Sequence, residues 1–410
     1  MNATGLMPPQ FELDHPQDPL LTATLELERC ARLLDLEDWI VERLRHCEQE
    51  VVFNFLLPND KGESRPATGL WVRHCTATGP AVASFQISRN AYRNSLCANA
   101  MRNTWLCALY GLNHGGAAAA LIVDSQKHTE RELRRAIYAF ADASKDFAEK
   151  SAFLVPEGVH EVEIEWLAAG LETEKRPRPY LVGKAAANAE DDQVTIGVAE
   201  LIHCAEGNLK QRVAVQGFDE TVQPLIEYLQ RHEARVVAVS DASGGVRHDL
   251  GLDTQALKEH VQQHGVLLGY PEAEAVLNAD VLETECDVLV LAGSERQIGT
   301  HNAKKIRAGV LVELAPGAVT EEAEQTLSVG GKLILPNLIC AGPEMLRAAA
   351  AAERGGPGSR SKGWMRRVIR EMWRGVSEAA AGWNVSIAEA SRALAVQRVA
   401  AVLRAQGVPF

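Results

Sequence analysis

Gly217 and Asp241 each follow a short apolar run, at 213–215 and at 236–239. Runs of this kind predict buried parallel strands, and residues at helical spacing lie between them. The acid follows the glycine by 24 residues (241 − 217), close to the offset between the phosphate turn and the ribose acid of a dinucleotide-binding unit. The order of strand, turn, helix and strand therefore predicts a Rossmann-like parallel sheet.

The glycine pattern of such a unit is broken after Gly217. Asp219 and Val222 stand where G-x-G-x-x-G requires its second and third glycines. A carboxylate about 4 Å from a phosphate charge costs on the order of 1 kcal/mol in water and about 4 kcal/mol at a surface-like dielectric. An acid near a helix N-terminus is favourable, so Asp219 can cap the helix instead. We favour the capped helix without a cofactor, and retained dinucleotide binding is the alternative.

Length and charge limit the classes of function. A chain of 410 residues predicts two domains. Its net charge of −12 argues against a partner such as nucleic acid or an anionic membrane. No apolar run reaches the roughly 18 residues of a membrane span. The first residues lack the basic and apolar regions of a signal peptide, so we expect the cytoplasm.

Metal and disulfide sites are not expected from the spacing of cysteine and histidine. The eight cysteines include no C-x-x-C pair and are interpreted as small buried hydrophobic residues in a reducing compartment. His260 and His264 have the i, i+4 spacing of metal ligands on a helix. No third ligand is close in the sequence, so a solvated helix face is the preferred interpretation.

Hydrophobic periodicity predicts two α/β domains, the second with a parallel sheet. A proline-rich and charged stretch at 172–192 is the predicted crossover between them, and 354–362 is a predicted loop. In the first domain the pattern predicts helices at 19–47, 99–110, 130–148 and 161–171 and strands at 51–57, 69–74 and 119–123. In the second it predicts a helix at 194–204, strands at 213–215, 236–239, 288–291, 310–312 and 332–335, and two closing helices.

Several segments together resemble one family. They are VAVQGF and VVAVSDASGGV around the two strands, WLCALYGLNHGGAAAALIVD at 105–124, GPA at 79–81, ELA at 313–315 and LPNL at 335–338. The chain resembles the glutamate dehydrogenases and their leucine, phenylalanine and valine dehydrogenase relatives over nearly its whole length. The resemblance implies an N-terminal oligomerisation and substrate domain at 1–185, completed by 365–410. It also implies a Rossmann-like domain at 186–345, NAD or NADP as cofactor, and catalysis between the domains. Many members of the family are homohexamers.

The catalytic groups of that family are absent at the matching positions. The catalytic lysine falls on Ala118 and the catalytic aspartate on Pro156. Val82 and Leu106 replace substrate-binding lysines, and Pro316 replaces the asparagine near the nicotinamide. Oxidative deamination needs a cation that polarises the reacting carbon and a base that shuttles protons. No catalytic residue can therefore be assigned, and the resemblance implies an inactive or strongly impaired member.

Three matching positions keep the residue that the family uses around its cofactor. Gly217 permits the tight turn, and Asp241 stands at the position of the acid that binds the ribose. Thr195 stands at the position of the threonine in the family's A-T-G segment. We interpret all three as vestigial cofactor-binding residues kept for structural reasons, since glycine permits the turn and threonine can cap a helix. NAD or NADP is disfavoured as a ligand on this interpretation.

Three functions remain open from the sequence. The first is a non-catalytic homologue that forms a homo- or hetero-oligomer with an active glutamate dehydrogenase, or that senses an amino acid or a nucleotide. The second is a repurposed enzyme in the same cleft. The third is residual NAD(P)-dependent amino-acid dehydrogenase activity, which family membership alone supports. The candidate groups for the repurposed enzyme are His114, Arg89, Arg93, Glu157 and His160.

Overall fold

The structure is a computed structural model, and it describes residues 18–148, 151–156, 159–172, 192–354 and 362–407. Contacts divide the chain into two compact units. The first comprises Met1–Val182 and Val396–Phe410, and the second comprises Gly183–Ala395. Each unit contains one sheet with helices, as expected for two α/β domains. Most of the crossover predicted at 172–192 and of the loop predicted at 354–362 lies outside the described residues.

Among the residues that the structure describes, the first unit has five strands and five α-helices before the C-terminal return. The strands are β1 (Gln49–Pro58), β2 (Ser64–Cys75), β3 (Ala81–Ile87), β4 (Gly115–Ile122) and β5 (Ser151–Pro156). The helices are α1 (Pro19–Leu34), α2 (Asp38–Arg45), α3 (Arg93–Leu109), α4 (Glu130–Ala148) and α5 (Glu161–Leu171). The sheet order is β1-β2-β4-β3-β5. β3 lies parallel to β4 and β5, whereas β2 lies antiparallel to β1 and β4.

Strand β4 is the centre of this unit because both of its faces are covered. Successive side chains of a strand point to opposite faces. Ala117 and Ala119 belong to the core cluster that includes Phe140 of α4. Ala118 and Ala120 belong to the cluster on the other face, which includes residues of α3. Seven of its eight residues are buried, so this strand offers almost no surface to solvent.

Helix α3 approaches the start of β4 so closely that a side chain is excluded there. A Cβ atom at Gly116 would overlap the carbonyl oxygen of Ala100 and the amide nitrogen of Thr104. Thr104 also contacts the buried His74, whose Nδ1 lies 2.9 Å from the threonine Oγ1. Burial lowers the pKa of His74 to about 4, so the imidazole is neutral at pH 7.

Three predictions for this unit differ from the structure. The helix predicted at 19–47 is two helices, because Asp35 has a φ of 48° and ends α1. β4 begins at Gly115, four residues before the strand predicted at 119–123. β3 was not predicted as a strand, since its sequence AVASFQI has polar residues at 84 and 86 and small alanines at 81 and 83. By contrast, the helices predicted at 130–148 and 161–171 are confirmed.

The last helix, α14 (Ile387–Gln406), closes the first unit with its second half. The Arg398 guanidinium donates to the carbonyl oxygens of Ala108 and Leu109, at the C-terminus of α3. The Ala108 carbonyl oxygen also accepts from the Gly111 amide at 3.1 Å. A cation at this end of the helix adds a donor for its last carbonyls and complements the helix dipole. Near the end of α14, Arg404 pairs with Glu37, with an Nε–Oε1 distance of 2.9 Å.

The second unit contains a seven-stranded sheet of order β12-β11-β10-β6-β7-β8-β9. Its strands are β6 (Arg212–Gln216), β7 (Arg235–Asp241), β8 (Gly244–Arg247), β9 (Glu274–Val276), β10 (Val288–Leu291), β11 (Val310–Glu313) and β12 (Leu333–Leu335). Its helices are α6 (Gln193–Glu206), α7 (Gln223–Arg231), α8 (Thr254–His264), α9 (Asn278–Leu282), α10 (Glu321–Val329), α11 (Asn337–Cys340), α12 (Gly342–Arg354) and α13 (Lys362–Trp383). Strands β12 to β7 run parallel, and β8 and β9 form an antiparallel extension.

Helix α13 belongs to the second unit, whereas the sequence assigned 365–410 to the first domain. Its buried apolar residues pack on α6, where a Cβ atom at Gly197 would lie 3.5 Å from the Cγ of Met365. The nearly buried carboxylate of Glu200 in α6 binds Arg370 at 2.5 Å and lies 3.5 Å from Arg366. Only residues 396–410 join the first unit. None of the described helices has the length and apolar character needed to cross a membrane.

The contact between α3 and β4 can be tested with Gly116→Ala. Because the added methyl group meets backbone atoms that cannot rotate away, the free energy of unfolding should fall by about 1 to 3 kcal/mol. Gly382→Ala is the matched control, since its Cβ meets nothing within 4 Å and α13 should gain about 0.5 to 1 kcal/mol. Urea denaturation of both variants measures the two effects. Equal stability of the two variants would contradict the proposed crowding.

Candidate functional site

The candidate site is the carboxyl edge of the second sheet, where β6 lies between β7 and β10. The chain passes from β6 to β7 on one side and returns as β10 on the other. Open parallel sheets bind ligands at such a switch point. The residues that follow or end these strands are Gly217 after β6, Asp241 at the end of β7, Gly293 after β10 and Glu313 at the end of β11.

Gly217 is required by the backbone itself. Its φ is +99°, and a Cβ atom would lie 2.6 Å from the amide nitrogen of Gly293. Its own N–H donates to the carbonyl oxygen of Ser240 at 2.8 Å. A turn with positive φ against a neighbouring chain segment accepts only glycine without strain. The glycine is thus explained by packing, whether or not a ligand binds.

The space beside Gly217 is crossed by a chain of side-chain amides. The amide nitrogen of Gly293 donates to Gln216 Oε1 at 3.1 Å, and Gln216 Nε2 donates to Gln297 Oε1 at 3.3 Å. Gln297 Nε2 in turn donates to Ser294 Oγ at 2.5 Å. Gln216 is only 5% exposed. The protein therefore supplies polar partners of its own across the ends of β6 and β10.

Asp219 accepts hydrogen bonds from backbone amides at the turn where a dinucleotide-binding unit holds its phosphates. Its Oδ1 accepts hydrogen bonds from the Thr221 and Val222 amides, at 2.9 and 3.2 Å, and from the Thr221 hydroxyl at 2.5 Å. α7 begins at Gln223 with Val222 as its capping residue, so Asp219 caps the turn that leads into the helix. The carboxylate that accepts from these donors also places a negative charge at the turn where a pyrophosphate would approach.

Asp241 has both carboxylate oxygens bound within the chain. Oδ1 accepts from the amide and hydroxyl of Ser243, and Oδ2 accepts from the amide of Leu267 at 2.9 Å. The side chain therefore closes the turn between β7 and β8 and fixes the segment after α8. These contacts give the acid a structural role at the place where a ribose would bind.

Thr195 lies in the first turn of α6 and is 4% exposed. Its amide donates to Oδ2 of Asp192, the capping residue of this helix, at 2.9 Å. Thr195, Gly217 and Asp241 all belong to the second unit, and each has a defined structural contact. Asp219 and Gln216 likewise hold hydrogen bonds within the chain, so the groups at this edge that a dinucleotide would approach already have partners in the protein.

Glu313 is a buried carboxyl whose importance the sequence did not reveal. It ends the apolar strand β11 and accepts hydrogen bonds from the amides of Val319 at 2.7 Å and Asn337 at 3.3 Å. Burial, together with the nearby Glu324, raises the pKa of Glu313 to about 7, although the amide hydrogen bonds oppose the shift. A single charged residue at the end of a valine- and leucine-rich strand was the available signal. Pro316, three residues later, is exposed.

The positions matched to the family's lysines lie in hydrocarbon in the first unit. Val82 of β3 and Ala118 of β4 are fully buried, and Leu106 of α3 is 6% exposed. Ala118 pairs with Ser84 and Val72 in the neighbouring strands. None of these three side chains can hold a charge or bind a carboxylate. Pro156 ends β5, where it lies opposite Phe85 of β3 in the sheet.

Two of the candidate groups for a repurposed enzyme, His114 and Arg89, lie at opposite ends of the same strands. His114 Nδ1 lies 3.2 Å from the Pro80 carbonyl oxygen, at the start of the parallel strands β3 and β4. Arg89 pairs with Asp124 at 3.2 Å, beyond the other end of the same strands. Seven residues of β3 separate these positions by roughly 20 Å.

The other candidates are likewise engaged elsewhere or not described. Arg93 binds both oxygens of Glu50, at 2.5 and 2.6 Å. His160 is exposed at the start of α5, and Glu157 lies outside the described residues. On α8, the rings of His260 and His264 stack with centroids 4.3 Å apart, and His264 Nδ1 contacts the His260 carbonyl oxygen at 3.0 Å.

Comparison with known proteins decides the family. Residues 193–407 match the description glutamate/leucine/phenylalanine/valine dehydrogenase, and residues 47–171 match the dimerisation domain of these dehydrogenases. The chain belongs to this family. The glutamate dehydrogenase of Thermotoga maritima is 29% identical over 341 residues, covering 77% of this chain and 80% of that protein. The glutamate dehydrogenase of Aeropyrum pernix is 27% identical over 337 residues, covering 79% and 81%.

A solved relative supports the same fold. The hetero-hexameric glutamate dehydrogenase of Thermus thermophilus, in its leucine-bound form, superposes with a TM-score of 0.86 at 23% identity. The match covers 97% of this chain and 99% of that chain. The family resemblance and the two-domain α/β fold predicted from the sequence are therefore confirmed.

The role of Asp219 can be tested with Asp219→Ala. Loss of the carboxylate leaves the Thr221 and Val222 amides without this acceptor, so the free energy of unfolding should fall by about 1 kcal/mol. Glu220→Ala removes the same charge one residue later, and it should change stability by no more than about 0.5 kcal/mol. Chemical denaturation compares the two. A Glu220 effect as large as that of Asp219 would show that charge, not the turn, is responsible.

The raised pKa of Glu313 predicts how stability depends on pH. A carboxyl whose folded pKa lies above its unfolded value stabilises the protein at low pH, and this contribution is lost as the pH rises through about 7. In Glu313→Gln, the decline in unfolding free energy between pH 4.5 and 7 should be smaller by on the order of 3 kcal/mol. Glu285→Gln, an exposed control, should keep the wild-type slope. If the unfolding free energy changes with pH equally in all three proteins, the raised pKa of Glu313 is contradicted.

Proposed function

We propose that this chain is a non-catalytic member of the Glu/Leu/Phe/Val dehydrogenase family that assembles with an active glutamate dehydrogenase and regulates it. The observation that carries the proposal is the burial of Val82, Leu106 and Ala118 in hydrocarbon, at the positions that the family resemblance assigns to lysines. A cation that polarises the substrate must reach the reacting carbon from a preorganised position. These three side chains supply no such group.

The vestigial cofactor edge supports the same proposal. Asp219 and Asp241 satisfy backbone amides that a bound dinucleotide would otherwise approach. Meanwhile the central residues of β6, β7 and β10 are apolar and buried, and the glycine that the turn after β6 requires is present. Selective loss of the chemistry, with the scaffold retained, is expected of a subunit that is kept for assembly rather than for turnover.

An exposed edge strand supports assembly. β1 is at the end of the first sheet, and its outward face carries Val52 and Leu56, which are 51% and 70% exposed. The opposite face, with Phe53 and Phe55, packs on the core. A long edge strand with exposed apolar residues is a template for pairing with another chain. It lies within the segment that matches the family's dimerisation domain.

The kind of assembly is suggested by a relative. The similar Thermus thermophilus structure is described as hetero-hexameric and leucine-bound. We extend both properties to this chain as part of the proposal: a hetero-oligomer with an active paralogue, and an amino acid as the regulatory ligand. Because a ligand that binds only the native state raises its melting temperature, a thermal-shift screen with amino acids, nucleotides, NAD and NADP identifies the ligand.

The proposal is tested by co-expression with an active glutamate dehydrogenase from the same cell. The two chains should co-purify, and the chain alone should reduce neither NAD nor NADP with glutamate, leucine, phenylalanine or valine. Leu56→Lys places a charge on the outward face of β1 and should release the chain from the oligomer. Val329→Lys is the control, because Val329 is 91% exposed and lies in the second unit. Light scattering after size exclusion measures the mass of each complex.

Two results would defeat the proposal. Glutamate-dependent reduction of NAD or NADP by the isolated chain would restore the family's activity as its function. A chain that stays monomeric with every paralogue and binds no amino acid or nucleotide would remove the regulatory role. If Leu56→Lys still assembles while Val329→Lys does not, the interface lies elsewhere on the chain.

A further inference from the structure

Two cysteines and a glutamate from separate segments meet on the first unit. Cys47 lies in the loop between α2 and β1, Glu50 is the second residue of β1, and Cys97 lies in the second turn of α3. Their sulfur atoms and a carboxylate oxygen all lie within 4.8 Å of one another. They are the one group of this kind among the described residues. Sequence spacing does not reveal this group, because Cys97 is about 50 residues away in the chain from Cys47 and Glu50.

The donor set suits a thiophilic divalent ion. Zn²⁺ binds thiolate sulfur at about 2.3 Å and carboxylate oxygen at about 2.0 to 2.2 Å, in tetrahedral geometry. Two sulfur ligands of a tetrahedral Zn²⁺ at that bond length are about 3.8 Å apart. The distance between the two sulfur atoms, at most 4.8 Å here, therefore needs to shorten by about 1 Å at most. Soft thiolates favour Zn²⁺ over Mg²⁺ or Ca²⁺, which prefer oxygen ligands alone.

Arg93 supplies the charge balance and the orientation. Its guanidinium binds both oxygens of Glu50, at 2.5 and 2.6 Å. Two thiolates and one carboxylate around a divalent cation carry a net charge of −1, which Arg93 neutralises. Each carboxylate oxygen has two lone pairs, so Glu50 can accept from Arg93 and still bind an ion. Outer partners of this type commonly orient metal-binding carboxylates.

Access to the group is one-sided. Cys97 is 1% exposed, Cys47 is half-buried, and Glu50 is exposed. An ion can therefore enter from solvent past Glu50, and a water molecule can take the fourth position. A hydrogen bond to Cys97 and burial raise the pKa of the Cys47 thiol well above its ordinary value. Binding of a cation would release these protons, as is usual for thiolate ligands.

We propose that Cys47, Glu50 and Cys97 form a binding site for a thiophilic divalent cation such as Zn²⁺, with Arg93 as the outer partner of Glu50. The ion would join the start of β1 to α3 and thus stabilise the edge strand of the first sheet. The site is independent of the regulatory role proposed above. It is also distinct from the carboxyl edge of the second sheet.

The probe is Co²⁺ added to the full chain after chelation and reduction, with Zn²⁺ as competitor. Thiolate ligation gives a sulfur-to-cobalt charge-transfer absorption in the near ultraviolet, and we expect one equivalent that Zn²⁺ displaces. Cys97→Ala should abolish the absorption, and Glu50→Gln should weaken Co²⁺ binding by about tenfold or more. Cys204→Ala is the matched control, since Cys204 is also half-buried but lies in the second unit. It should leave the titration unchanged.

The proposal fails if the reduced wild-type chain shows no charge-transfer absorption, or if the absorption persists in Cys97→Ala. It also fails if mild oxidation yields a disulfide between Cys47 and Cys97 while the reduced chain binds no metal. Should Cys97→Ala not fold, Glu50→Gln decides, because it changes only an exposed side chain. A wild-type affinity in that variant would overturn the assignment of the carboxylate.

Discussion

The close packing of α3 against β4 is the constraint on which the first unit depends. Gly116 leaves no room for a Cβ atom, and the alanines that follow it are covered on both faces of the sheet. A lysine at position 118 would have to leave water for a space without a partner, which costs far more than a surface substitution. On the proposed non-catalytic role, the uncharged side chains at these positions and the tight core result from the same packing.

The second unit is organised on a different principle, the satisfaction of backbone donors by the chain's own acids. Asp219 and Asp241 each bind amides near the ends of parallel strands, and Glu313 does so at the end of β11. In a cofactor-binding sheet, part of this polar capacity is left for the ligand. Here Asp219, Asp241 and Glu313 use it for hydrogen bonds within the chain.

Local patterns in the sequence predicted much of this architecture. β6 and β7 were placed correctly because their valine runs end at a glycine and at an acid, and α4 because its amphipathic pattern is strong. The strands β8 and β9 were missed because their four and three residues are too few to show a period, and β3 because small and polar residues interrupt its apolar ones. The family motifs located the emptied lysine positions. No spacing rule reveals that Cys47 lies close to Cys97 or that Glu313 is buried. Both depend on contacts between residues that are distant in the chain.

The contact of Arg398 with the end of α3 has a consequence for biosynthesis. The carbonyl oxygens of Ala108 and Leu109 emerge from the ribosome almost 300 residues before the guanidinium that binds them. During that interval the rest of the first unit up to Val182 and the whole of the second unit are made, and the first unit remains without its closing helix. Domains that finish folding as they emerge can do so in order of synthesis. This one has to wait for its own C-terminus, so a nascent chain truncated before residue 398 would expose the end of α3 to chaperones and proteases.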